Sequence, residues 1–112
     1  MEIEKSSEAH NVLVLQYQGE NLDASNVREF KELMRPVLKE NNRIVFDMSK
    51  MKFIDSSGLG AMIACLRETN AQKGDLRLCQ LNKSVNALFI LMRMHRVFNI
   101  HEDKNLAVAS FA

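Results

Sequence analysis

Short apolar runs and longer apolar stripes alternate along this chain. Val12, Leu13, Val14 and Leu15 form an unbroken, partly β-branched run, the pattern of a strand covered on both faces, with Gly19 marking its end. Ile3 and its neighbours are expected to supply a partner strand. From Val27 the period changes: Val27, Phe30, Leu33, Met34, Val37 and Leu38 fall on one face of a helix, preceded by the capping candidates Asp23 and Ser25. Pro36 lies inside that stripe and is expected to bend the helix, because its ring opposes the carbonyl of Glu32.

Arg43, Ile44, Val45, Phe46 and Asp47 predict a second buried strand, and Leu76, Arg77, Leu78 and Cys79 another. Between them, Leu59, Met62, Ile63 and Leu66 give a helical stripe closed by Lys73 and Gly74. Val85, Leu88, Phe89 and Met92 give a third helix, Val97 to Ile100 a short strand, and Asp103 a cap for a last helix through Leu106 and Ala109. Strands alternating with helices predict an α/β fold: a central mixed, mainly parallel sheet of about four to five strands covered by about four helices.

At 112 residues the chain has room for one domain and no linker, repeat or low-complexity tract divides it. Fifteen basic residues against fourteen acidic ones leave no global field for nucleic acid or anionic lipid, so neither is expected as a partner. Arg93, His95 and Arg96 make the nearest approach to a basic cluster. The segment from Met1 to Lys5 lacks the apolar stretch of a signal peptide, and no window reaches the length of a membrane span, so the cytoplasm is the expected compartment. Cys65 and Cys79, flanked by apolar or small neighbours, are expected as buried, reduced thiols.

Candidate chemistry is sparse. His10, His95 and His101 have no metal-ligand spacing, Gly58 and Gly60 lack the third glycine of a dinucleotide turn, and no Gly, x, Ser, x, Gly elbow surrounds a serine. No cofactor and no enzymatic activity are therefore expected. What stands out is Phe53, Ile54, Asp55, Ser56, Ser57, Gly58, Leu59, Gly60, where a strand gives way to an apolar helix. Helix capping by Asp55, Ser56 or Ser57 accounts for these residues by itself. The same geometry also suits modification, because a hydroxyl at a helix start is exposed and a phosphate there meets free amides and a favourable dipole. The helix beyond is apolar nearly all round, so packing between helices and docking of a partner both remain open for it. Ile90, Leu91 and Met94, off the main stripe of the third helix, are either second-face core or an exposed patch.

Together these residues make the chain resemble a STAS domain, the module of bacterial anti-sigma factor antagonists and of the cytoplasmic ends of sulphate transporters. The resemblance runs over the whole of 1–112 as a single domain. It is carried by Gly19, Glu20, Leu22 and Asp23, by Ile44 to Asp47, by Phe53 to Gly60 and by Val97 to Ile100. The string Asp55 to Gly60 is similar to that of the phosphorylatable branch.

The resemblance implies an anti-sigma factor antagonist in a partner switch. Its unmodified form binds an ATP-bound anti-sigma factor serine kinase and frees the sigma factor. Phosphorylation at Ser57, with Ser56 as second choice, releases the kinase, and a metal-dependent serine phosphatase resets the cycle. Asp23, Asp55, Ser56, Gly58, Leu59, Gly60 and Met62 are implied as the contact zone, on a monomer. The alternative is a STAS subunit that regulates a transporter ATPase, a signalling assembly or another kinase or cyclase pathway. Asn21 departs from the family pattern, standing inside a run that is otherwise Gly, Glu, Leu, Asp.

Overall fold

Each apolar run pairs with the next in parallel, and the helices between them supply the crossovers. The computed structural model describes all residues, 1–112. β1 (Ile3–Glu8) turns tightly through His10 and Asn11, both at positive φ, into β2 (Val12–Tyr17), and the two pair antiparallel. β4 (Arg43–Asp47), β6 (Asp75–Cys79) and β7 (Ile100–His101) then add in parallel, giving the order β1-β2-β4-β6-β7. Two short strands, β3 (Asn21–Leu22) and β5 (Phe53–Ile54), form a separate parallel pair. The helices are α1 (Val27–Glu40), α2 (Ser56–Ala71), α3 (Lys83–Leu91) and α4 (Lys104–Ala109).

Period-two alternation in the strands separates two cores. Leu15, Ile44, Phe46, Leu76 and Leu78 pack with Phe30 and Met34 of α1, Met62 and Leu66 of α2, and Phe89 of α3. On the opposite face Val12, Val14, Val45 and Cys79 meet Ala107 and Val108 of α4. The unbroken run Val12 to Leu15 thus reflects a strand with helices on both sides. Tyr17, Phe30 and Phe46 interlock in the larger core, with Phe30 edge-on to Phe46 at 5.9 Å between ring centres.

Several local expectations change. α1 starts at Val27 without a side-chain cap; instead the carbonyl of Asp23 accepts from the amides of Asn26 and Val27. It runs without interruption through Pro36, which is exposed. Leu33 and Met92, counted in helical stripes, are exposed at the surface. The strand expected over Val97 to Ile100 is displaced to Ile100–His101, because Arg93 turns left-handed at φ 59 and Phe98 is drawn into the core against Phe89 at 6.2 Å. After α2 the left-handed residue is Lys73 at φ 64, not Gly74. Gly74 is needed for another reason, since a Cβ there would run into the backbone carbonyl of Asn42. Ile90 and Leu91 lie exposed, so they are surface, and Met94 is partly buried against the core.

Candidate functional site

Pairing of β3 with β5 decides where the serine motif sits. The register sets Leu22 opposite Ile54, so the chain leaves β3 toward α1 and leaves β5 toward α2 side by side. Asp23 and Asp55 are the first residues beyond the two strands. The Asp55 amide donates to the carbonyl of Leu22 at 3.3 Å.

Asp55 has extended backbone at the N-cap of α2, and its carboxylate does two jobs. Oδ1 accepts from the Gly58 amide at 2.9 Å, and Oδ2 accepts from the Ala24 amide at 3.1 Å. One acid therefore joins the start of α2 to the turn before α1. Asp23 is held within that turn: Ser25 donates to it through its amide at 3.0 Å and through its hydroxyl, and the Asn21 side chain donates at 2.8 Å. The Ser25 hydroxyl, then Asn21, lowers the Asp23 carboxyl below the ordinary carboxylate range. Asn21 earns a place in the pattern, since its carbonyl also accepts from the Tyr17 hydroxyl at 2.6 Å and from the Asn26 side chain at 2.9 Å.

Ser56 and Ser57 occupy the first turn of α2, both exposed. Gly58 takes the third amide of that turn to Asp55, which leaves the Ser56 and Ser57 amides without intrahelical acceptors. Gly60 is exposed, with open space on its Cβ side. The expected contact zone is narrower at the surface than the sequence suggests. Gly58 lies against Leu22, and Leu59 and Met62 are buried because the helical turn points them toward the core. What the structure brings together on the outside is Asp23, Asp55, Ser56, Ser57 and Gly60.

Sequence reasoning missed Ala24, whose amide completes the junction, and Phe53, which is 54% exposed immediately before the motif. No periodicity carried a signal for Phe53: strict alternation would set it on the same face as the buried Met51, and β5 is only two residues long.

No group of three or more His, Cys, Asp or Glu side chains gathers as a metal site. Cys65 and Cys79 are buried free thiols. Burial pushes each up to about 12, with Glu68 adding to the effect at Cys65 and Asp47 at Cys79. No helix is long and apolar enough to cross a membrane.

Asp55→Ala removes a cap and the link to Ala24 together. We expect a loss of about 1 to 2 kcal/mol in unfolding free energy, measured by urea denaturation. A loss of only a few tenths would show that the junction does not hold the two turns.

Residues 4–107 match the STAS domain family profile. BtrV of Bordetella bronchiseptica is 25% identical over 91 residues, covering 80% of this chain and 78% of BtrV. Among solved structures, an anti-sigma-factor antagonist (STAS) domain protein from Planctomyces limnophilus superposes with a TM-score of 0.87 at 17% identity, covering 97% of each chain. SpoIIAA, a Bacillus cell fate determinant solved in its phosphorylated form, gives a TM-score of 0.71 at 17% identity over 99% of this chain and 100% of its own.

Proposed function

This chain belongs to the STAS domain family, and from that membership we propose that it is an anti-sigma factor antagonist switched by phosphorylation of Ser57. The observation that carries the reading is the exposed Ser57 hydroxyl in the first turn of α2, held beside the Asp23 turn by Asp55. The related names of structural neighbours, and a relative of the same fold solved with its phosphate attached, support it.

In the switch, the unmodified face formed by Asp23, Asp55, Ser56, Ser57, Gly60 and Phe53 binds an ATP-bound anti-sigma factor serine kinase, freeing the sigma factor. The Ser57 oxygen attacks the γ-phosphorus of ATP; an O–P bond forms, the bond to ADP breaks, and the hydroxyl proton passes to the kinase or to water. A metal-dependent serine phosphatase returns the hydroxyl by transferring the phosphoryl group to water. The chain supplies an acceptor and a surface, with chemistry provided by its partners.

The direct test incubates the protein with ATP and its cognate kinase and maps the product by mass spectrometry. We expect a single phosphate on Ser57, absent from Ser57→Ala and retained in Ser56→Ala. Label that persists in Ser57→Ala removes Ser57 from the role.

A further inference from the structure

Beyond the serine, α1 and α2 leave an open groove between them. Its floor is apolar, formed by Met34 and Leu38 of α1 with Ala61, Ala64 and Cys65 of α2. Its α1 wall carries Lys31, Arg35 and Lys39, all exposed, and none has a carboxylate within ion-pair distance. The opposite wall offers one acid, Glu68. The groove thus carries three cations, none ion-paired, against the single acid Glu68 in its lining, over an apolar floor.

The spacing of the cations selects their counterpart. Lys31, Arg35 and Lys39 recur every four residues, so they form a row about 12 Å long on one side of α1. Acidic side chains at the same interval on a helix lying alongside would meet them one for one, while apolar residues on its adjacent stripe enter the floor. On α2, Ser57 precedes Ala61, Ala64 and Glu68 at intervals of four, seven and eleven, which places all four on one stripe. The groove therefore begins one turn beyond the serine.

We propose that the α1/α2 groove receives an acidic amphipathic helix of the protein partner, with Lys31, Arg35 and Lys39 as its charge complement. This rests on the reading that the partner meets the Ser57 end of α2, and it extends that reading along the helix. It also accounts for the sign of the switch. A phosphate on Ser57 stands at the head of a groove whose occupant is itself anionic, so the added charge opposes the occupant directly. Groove-to-groove pairing with a second copy of the chain is disfavoured, because both grooves are basic.

The test uses the unmodified full chain and no kinase, so its failure is distinct from a failure of the phosphorylation reading. Isotope-labelled protein is titrated with a synthetic helical peptide that carries leucines on one stripe and glutamates on the flanking positions. We expect amide shifts confined to residues 31–39 and 60–68, lost at high ionic strength. Affinity should fall roughly tenfold or more in the triple variant Lys31→Glu, Arg35→Glu, Lys39→Glu, whose substituted side chains are all exposed. The same peptide with lysines in place of glutamates should not bind. Absence of shifts, shifts centred on the exposed Ile90 and Leu91 instead, or binding indifferent to the charge reversal would overturn the proposal.

Discussion

Gly58→Ala is expected to lower the melting temperature by roughly 10 °C, whereas Gly60→Ala, two residues on, is expected to raise it slightly. A Cβ on Gly58 would enter the backbone carbonyl oxygen of Leu22 and lie 2.9 Å from the Leu22 Cγ. Relief requires β3 and the start of α2 to separate by about 1 Å, which strains the Leu22 and Asp55 pairing and the Ala24 contact to Asp55. Overpacking of this kind costs about 1 to 3 kcal/mol, and each weakened hydrogen bond about 1 more. The gain in helix propensity from alanine, near 1 kcal/mol, offsets only part of it. At Gly60 nothing lies within 4 Å of the new methyl, so the propensity gain stands alone. Thermal unfolding followed by circular dichroism measures both. Equal shifts for the two variants would mean that the close approach of α2 to β3 is not maintained in solution.

A phosphate on Ser57 is expected to weaken binding of the kinase by at least two orders of magnitude while leaving the domain folded. Two effects act in opposite directions on two different equilibria. Within the domain, the phosphate meets the unpaired Ser56 and Ser57 amides and the positive end of α2, a stabilisation of about 0.3 to 2 kcal/mol. In the proposed complex it would bring about −1.5 to −2 charges into the contact, beside the carboxylates of Asp23 and Asp55. A penalty of about 3 kcal/mol is enough for the hundredfold change. Calorimetric titration of the kinase with phosphorylated and unmodified protein provides the comparison. Affinities within tenfold of each other would show that the modification does not act through this contact. Ser57→Asp carries about one charge, so its effect should be intermediate.

The sheet and its crossovers were legible because each relied on many residues. The runs Val12 to Leu15, Arg43 to Asp47 and Leu76 to Cys79 are strands where expected, and Asp103 caps α4 through the Leu106 amide at 2.8 Å. Elements that rest on one or two residues were not legible. β3 and β5 are two residues each, too short to show a period, and β7 was misplaced because the left-handed turn at Arg93 leaves no pattern in an otherwise strand-like stretch.

The site divides in the same way. A cap among Asp55, Ser56 and Ser57 and an exposed Ser57 hydroxyl follow from the order acid, serine, serine, glycine before a helix, and the structure gives the cap to Asp55. Burial of Leu59 and Met62 agrees with their helical stripe; it is their place in the contact zone implied by the resemblance that their burial at 4% and 2% exposure does not fit. The contact from Ala24 to Asp55 uses a backbone amide, which every residue but proline carries, so no spacing of side chains announces it.

That contact has a consequence for how the surface is met. Two stretches of chain some thirty positions apart are latched into one face by a single acid, before any visitor arrives. Such a face arrives ready-made: the loss of loop freedom belongs to folding, and an encounter has none of it left to overcome. Recognition can then be quick and shape-driven, and one small chemical mark can reverse it without the platform beneath having to move.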